Sequence, residues 1–433
     1  MKKKLLLKEL IADFHTTSLP TTVKREISLP LDSGKIITLT GVRRCGKTFL
    51  LYEAIKTLLT HGLAMRNILY LNFEDERLIL ATEELDLILQ VYRELYPGIY
   101  LTDCYFFFDE IQNIPDWERF IRRVYDSVTR HIFITGSNAR FLSTEIATSL
   151  RGRSVTYEVF PLAFREYLWF LGVDDKGQDA QSKAVIAHHF EHYLVVGGFP
   201  ELTGTSDPLF RKKVLQEYFN VMLYRDLVEH YHISNLPVLR YFVRRVMEGI
   251  TSVISPNKIF NELKSQGYRI GKNTLYDYLD AVEAIYLFQI LKKFNPSVVK
   301  QELGEKKAYV IDTGLLNAVT FAYSKDDRKL LENAVYLHLR RLGRPLFFLK
   351  DRRECDFIVA DQNGVLTPTQ VAYSIGDRDT AKREINGAIE ACKRLKTNHA
   401  QIITLSEQAS LHEDGVSIEV WPAAQFFLAN QWH

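Results

Sequence analysis

The sequence predicts an α/β fold. A parallel sheet covered by helices on both faces comes first, then a helical stretch, then a second, smaller α/β region. Three observations predict it. Between Lys35 and about Leu171, short apolar runs alternate with helical patterns. The first of these runs leads straight into a glycine-containing turn. From Arg328 a second alternation of helix and strand patterns begins.

Composition sets the outer bounds. The 433 residues suggest roughly two to four domains. A hydrophobic share of 46% is ample for several cores. The net charge of +2 argues neither for nor against nucleic acid, so any basic surface must be local. Cys45, Cys104, Cys355 and Cys392 show neither zinc-finger spacing nor a disulfide framework, which fits a reducing cytoplasm. The opening MKKKLLLKELIADF has too short an apolar run for a signal peptide, and no small-residue cleavage site follows. No apolar run approaches the roughly 20 residues needed to span a bilayer. A cytoplasmic protein with no membrane association is expected.

The first strands are expected at Ile36 to Leu39, Ile68 to Phe73, Tyr105 to Phe108 and His131 to Thr135. Each is bounded by polar or turn residues and is too short for a helix, as strands of a covered parallel sheet are. Residues 173–184, VDDKGQDAQSKA, have no periodicity and read as a linker or exposed loop. Helical patterns then run to about Asn235, interrupted at Gly197-Gly198. A helix ends near Gly249; others follow at Asn257 to Ser265 and from Asn273 to Glu283. Strands are expected at Ala284 to Leu291 and Lys307 to Ile311. Three helices and a hairpin match a winged helix-turn-helix. Beyond Arg328, a helix at Leu331 to Leu342 precedes strands at Leu346 to Leu349, Cys355 to Ala360 and Leu366 to Ser374. A helix near Ala381 to Leu395 and a strand at Gln401 to Leu405 close the pattern. The expected organisation is an arm (1–20), a first α/β domain (21–172), a helical linker region (173–235), a winged helix (236–312) and a C-terminal α/β domain (313–433).

Gly41-Val42-Arg43-Arg44-Cys45-Gly46-Lys47-Thr48 fits G-x-x-x-x-G-K-[ST] completely. Such a turn lets several backbone N–H groups point at one phosphate cluster, and the following helix adds the positive end of its dipole. The strand KIITL precedes it and the helical pattern TFLLYEAIKTLL follows, the context the motif requires. These eight residues and Phe49 are the expected ATP contacts. Lys47 should reach the β- and γ-phosphates and Thr48 should bind Mg²⁺. The run Tyr105-Phe106-Phe107-Phe108-Asp109-Glu110 is an apolar strand ending in two carboxylates, the Walker B pattern. Asp109 is placed to hold Mg²⁺ and Glu110 to act as general base. The plainer alternative is that both carboxylates cap a helix near Pro115. Asn138, after the strand at His131 to Thr135, is either a γ-phosphate sensor or a helix cap. Arg153, with Arg151 second, is either an arginine finger from a neighbouring subunit or a surface residue at a helix end.

These segments carry a family resemblance. LTGVRRCGKTFLL, YFFFDEIQNIPDWERFIRRVYD, IFITGSNARFL, LRGRSVTYEVFPLAFREYL, VGGFPE, VIDTGLLNAV, LENAVYLHL and CDFIVA together resemble the prokaryotic AAA-type P-loop ATPases with a C-terminal domain of unknown function. The resemblance covers about residues 35 to 372. It implies an ATPase core of parallel strands (RecA/AAA-like) with the P-loop after the first. It assigns Lys47 and Thr48 to phosphate and Mg²⁺, Asp109 and Glu110 to Walker B, Asn138 to a sensor and Arg153 to a recurrent Gly-Arg position.

For the C-terminal domain the resemblance implies a restriction-endonuclease-like α/β fold. Such nucleases use a helix carboxylate, a strand Asp and E-x-K on the next strand, with metal-bound carboxylates and a lysine that acts on water. Glu332 fits the helix and Asp356 the first strand, but Gln370-Val371-Ala372 stands where E-x-K belongs. Gln is a poorer ligand for a hard cation than Glu, and Ala372 cannot act as the lysine; Lys350 is a conceivable substitute. A degenerate nuclease fold used for binding or assembly is expected.

In the winged helix, Arg269, Lys272 and Asn273 stand at the start of the recognition helix, where DNA contacts are usually made, and Lys292 and Lys293 lie on the wing. The same module also serves protein–protein contact. His188 and His192 share a helix face but lack a third metal ligand. The reading is an Mg²⁺-dependent ATPase, in an oligomer, that couples nucleotide state to DNA or a DNA-associated protein. Its rivals are a slow-turnover nucleotide-gated switch or scaffold in stress or phage defence, and an ATP-gated metal-dependent nuclease.

Overall fold

The computed structural model describes residues 2–137, 149–320 and 327–429. The chain forms two compact units, Met1–Phe160 and Pro161–His433.

In the first unit α1 (Lys2–Thr16) precedes β1 (Ile36–Thr40), α2 (Lys47–Thr60), β2 (Ile68–Asn72) and α3 (Asp86–Leu95). Then come β3 (Tyr105–Asp109), α4 (Trp117–Ser127), β4 (His131–Gly136) and β5 (Ser154–Glu158). The strands order β2-β3-β4-β1-β5, all pairs parallel. The three phenylalanines of β3 show why this segment is a central strand. Phe106 and Phe108 belong to a core with Ile88, Tyr92 and Phe120 on one face. Phe107 points the other way and stacks on Phe133, with ring centroids 4.7 Å apart. Alternation with both faces buried turns a continuous apolar run into a strand, and each such side chain contributes about 1.5–3 kcal/mol by leaving water. β5 was not anticipated. Its sequence, SVTYE, is polar and only half buried, as an edge strand next to β1 allows.

The second unit opens with α5 (Phe164–Phe170), α6 (Ala180–Val196), α7 (Pro208–Val221) and α8 (Leu236–Glu248). Next come β6 (Val253–Ile254), α9 (Pro256–Ser265), α10 (Lys272–Ala284), β7 (Phe288–Lys292), α11 (Val298–Leu303) and β8 (Lys306–Val310). Strands β6-β8-β7 form a small antiparallel sheet. After α12 (Thr313–Val319) and α13 (Asp327–Arg341) a mixed six-stranded sheet is built from β9 (Leu346–Lys350), β10 (Glu354–Ala360), β11 (Leu366–Val371), β12 (His399–Thr404), β13 (Ala409–Glu413) and β14 (Val416–Pro422). Its order is β13-β14-β12-β11-β10-β9. Helix α14 (Arg378–Leu395) precedes β12, and α15 (Ala423–Leu428) follows β14.

Three boundaries differ from expectation. The first unit ends at Phe160, not at 172, because Phe164 packs edge-on to Phe190 and Phe427 in the second unit's core. The stretch read as a linker over 173–184 ends in helix, since Asp179 caps α6 by accepting a hydrogen bond from Ser182 N–H. The strand expected from Ala284 starts at Phe288, because α10 continues to Ala284. All four cysteines are buried and unpaired by disulfides. No described helix is long and apolar enough to cross a membrane.

Candidate nucleotide site and a second carboxylate cluster

The loop after β1 turns sharply into α2. Gly41 makes the turn possible: a Cβ there would lie 2.1 Å from the Val159 carbonyl oxygen. Gly46, at φ 100°, precedes the first helical residue, Lys47. The Lys47 ammonium is buried, donates to the carbonyls of Gly41 (3.0 Å) and Val42 (3.2 Å), and lies 3.3 Å from Glu110 Oε1. Burial pulls its pKa down, but Glu110, Cys45 and Asp109 more than reverse this, so it stays charged.

Asp109 ends β3 with no exposed surface. Three hydroxyls donate to it: Thr48 at 2.7 Å, Tyr70 at 3.0 Å and Thr135 at 2.5 Å. Burial and then Glu110 push its carboxyl above the usual range, against those hydroxyls. Glu110 sits in the left-handed region at φ 52°, which turns its side chain back toward Lys47. Its N–H donates to Thr135 Oγ1 at 2.8 Å, and its Oε2 accepts from Gln112 Nε2 at 2.5 Å. Burial opposes its ionisation, but Lys47 and Gln112 outweigh this and hold the carboxyl below its ordinary value. Neither carboxylate caps α4, whose N-cap is Asp116. Thr48 and Asp109 therefore face each other as a hydroxyl and a buried carboxylate, a donor pair that fits Mg²⁺.

The remaining residues fall out as follows. Val42 and Cys45 are buried in the loop, and burial, only partly offset by Lys47 and Arg25, pushes the Cys45 thiol up, which suits a space-filling role. Arg43 pairs with Glu74. Arg44 is in the left-handed region at φ 65°. Phe49 is half exposed, beside the loop. Asn138 lies outside the described residues. Arg153 is not brought to the loop within its own chain. Its carbonyl accepts from Ile36 N–H at 2.8 Å, at the start of β1, whereas the loop lies past the strand's other end, roughly 16 Å along at a strand's rise. Its side chain pairs with Asp126 at 2.9 and 3.1 Å. Sequence reasoning missed Tyr70 and Thr135; the one available signal was a polar residue inside each of two otherwise apolar strands.

In the second unit, Glu332 on α13 and Asp356 on β10 do come together, and so does a lysine, contrary to expectation. It is Lys307 of β8, not Lys350. Its ammonium has no exposed surface and lies 3.3 Å from Glu332, 3.3 Å from Asp356 and 2.6 Å from Glu354. Burial and Asp356 push Glu332 upward against Lys307. Gln370 is no ligand here. Its Oε1 accepts from Asp356 N–H and its Nε2 donates to Glu354 O, both at 2.9 Å. Lys350 is 3.9 Å from Glu354.

Arg269, Lys272 and Asn273 are exposed around the start of α10, but Asp277, Asp280 and Glu283 are exposed farther along it. Lys292 and Lys293 pair with Glu302 and Glu305 at 2.7 and 3.0 Å. His192 bonds Tyr167 OH at 2.7 Å, and among the described residues no group of three or more His, Cys, Asp or Glu is arranged to hold a metal ion as it stands. A pocket of about 770 Å³ in the second unit, lined by Lys212, Tyr224 and Arg240 among others, contains none of the predicted residues.

A five-stranded parallel sheet, a G-x-x-x-x-G-K-T loop after its β1 and a buried carboxylate ending β3 mark an AAA-type P-loop NTPase domain. Residues 33–168 match the family model described as an AAA domain, and residues 187–326 match a domain of unknown function. The chain belongs to the family of the uncharacterized protein MJ1544 of Methanocaldococcus jannaschii. The two are 35% identical over 416 residues, covering 94% of this chain and 90% of that one. An uncharacterized protein of Haemophilus influenzae is 31% identical over 345 residues, 79% of this chain and 84% of its own. The RuvB Holliday junction branch migration motor of Thermotoga maritima aligns over 66% of this chain and 87% of its own at 14% identity. The TM-score of that alignment is 0.28.

Proposed function

We propose that the protein binds ATP with Mg²⁺, hydrolyses it, and couples nucleotide state to a macromolecular partner. The observation that carries this is the Thr48–Asp109 hydrogen bond beside the Lys47–Glu110 pair. Loop N–H groups and Lys47 would bind the phosphates. Mg²⁺ at Thr48 and Asp109 would neutralise charge on the β- and γ-oxygens. Glu110, ionised at neutral pH, would accept a proton from the attacking water. Arriving phosphates compete with Glu110 for Lys47, so binding frees the base that hydrolysis needs. The engagement of Glu110 by both Lys47 and Gln112 also favours a low basal rate, as a nucleotide-gated switch would have.

Arg153 would serve only across a subunit interface, after leaving Asp126. Residues 236–312 would form a winged helix. Its α10 face mixes Lys272 with three carboxylates, and its wing lysines are already paired, which favours a protein partner over bare phosphates. Phosphate release measured with and without Mg²⁺, and with and without DNA, tests the proposal. Mg²⁺-dependent hydrolysis lost in Lys47→Ala supports it. Equal rates in wild type and Lys47→Ala would remove it, and DNA stimulation with a steep salt dependence would overturn the preference for a protein partner.

A further inference from the structure

The carboxylates Glu332 and Asp356 are 4% exposed each, and three of their four oxygens accept hydrogen bonds within the chain. Glu332 Oε1 takes Lys307 and the Tyr309 hydroxyl, the latter at 3.0 Å. Asp356 Oδ1 takes Lys307, and Oδ2 accepts from Val371 N–H at 3.1 Å. Glu354 supplies a third carboxylate at 2.6 Å from the same ammonium. Gln370 is held by backbone on both ends of its amide, and a Cβ on Gly387 would stand 2.4 Å from its Nε2, so α14 closes that side.

Two buried carboxylates facing each other are relieved by a cation between them or by a shared proton, and here an ammonium stands between them. A divalent ion would require open oxygen lone pairs at about 2.0–2.6 Å. It would also stand within a few ångströms of an ammonium, where like charges in a buried setting repel strongly. Lys307 meets the same need from within the chain. It touches one oxygen of each carboxylate, and it arrives on β8, an element outside the six-stranded sheet.

We propose that Lys307 is the resident cation of this cluster and occupies the place of a divalent metal between Glu332, Glu354 and Asp356. The cluster is therefore a metal-free ionic junction fastening β8 to α13 and β10, with a latent divalent-cation site beneath the lysine. This inference stands apart from the nucleotide site and does not depend on it.

The test is Mn²⁺ binding to the full chain without nucleotide, read by the loss of the free-ion paramagnetic resonance signal. Wild type and Glu332→Gln should bind the same number of ions. Lys307→Ala should bind one more, and Lys307→Ala/Glu332→Gln should lose it again. Lys307→Met covers the case in which the alanine variant does not fold. Thermal unfolding gives a second readout: Mn²⁺ should raise the melting temperature of the lysine variants and not of their Glu332→Gln doubles. An Mn²⁺ site in wild type that Glu332→Gln removes overturns the proposal. So does a folded lysine variant that gains no ion. Plasmid cleavage by wild type that Asp356→Ala abolishes would overturn it as well.

Discussion

Replacing Gly41 by alanine probes the phosphate loop at its tightest point. The added Cβ would lie 2.1 Å from Val159 O, 3.0 Å from Val159 C and 3.1 Å from Cys45 Sγ. Ordinary contact starts at 3.4 Å. Two of these atoms are backbone, in the segment that continues β5, so neither can swing aside. The loop must move by roughly 1 Å, at the 1–3 kcal/mol typical of overpacking. A misplacement of that size costs about 10²-fold in rate when it displaces positioning groups, or about 2.7 kcal/mol of barrier. The assay is kcat/KM for ATP by phosphate release, beside urea unfolding. Gly34→Ala is the control: its φ of +63° is also strained for a side chain, but nothing lies within 4 Å of the new Cβ. We expect Gly41→Ala to lose about 10²-fold in kcat/KM and Gly34→Ala to keep the wild-type value. A folded Gly41→Ala with unchanged kcat/KM would refute the reasoning.

Three further outcomes follow from the same geometry. Tyr70→Phe removes one donor to Asp109, and the Mg²⁺ concentration for half-maximal hydrolysis should rise by about tenfold or more, as loss of supporting contacts does at metal sites; an unchanged Mg²⁺ dependence counts against the placement. Asp312 is pushed up to about 6 by burial, against the Gly198 and Leu315 N–H groups. A raised folded-state value means that this contribution to stability is present below the ordinary 3.8 and is lost as pH rises through about 6. Asp312→Asn should therefore flatten the change in unfolding midpoint between pH 4 and pH 7, and a parallel profile would contradict the assignment. Arg153→Ala should leave stability nearly unchanged, since its Asp126 pair is exposed. If the arginine acts across an interface, hydrolysis falls by about 10³-fold or more and returns when Arg153→Ala chains are mixed with Lys47→Ala chains; no recovery on mixing argues against that role.

Much of the first unit was legible for a physical reason. Strands buried on both faces read as continuous apolar runs, and the phosphate loop needs glycine at fixed offsets. β5 was illegible because an edge strand with half-exposed side chains carries no such run. The neighbours of Asp109 were harder. Tyr70 and Thr135 look like ordinary strand residues until the parallel register sets β2 and β4 on either side of β3. In the second unit, Glu332 and Asp356 were found through the resemblance, and the lysine was sought where E-x-K places it. Lys307 comes instead from a strand in another sheet, 25 residues from Glu332, and no local pattern announces such a contact. Asp312 shows the same limit: it joins VGGFPE to VIDTG by accepting from Gly198 N–H at 2.6 Å, a link visible only once the chain is folded.

The most direct test of the account compares ATP binding and hydrolysis in Glu110→Gln. The substitution keeps the side chain's size and leaves Lys47 its Gly41 and Val42 carbonyl acceptors, so ATP should still bind in the presence of Mg²⁺. Removing the base should slow phosphate release by about 10²–10⁴-fold. Tight binding with that loss is the predicted result. Hydrolysis at the wild-type rate in Glu110→Gln, or a wild-type chain that binds ATP and never releases phosphate, would contradict the claim that this site is a hydrolytic centre.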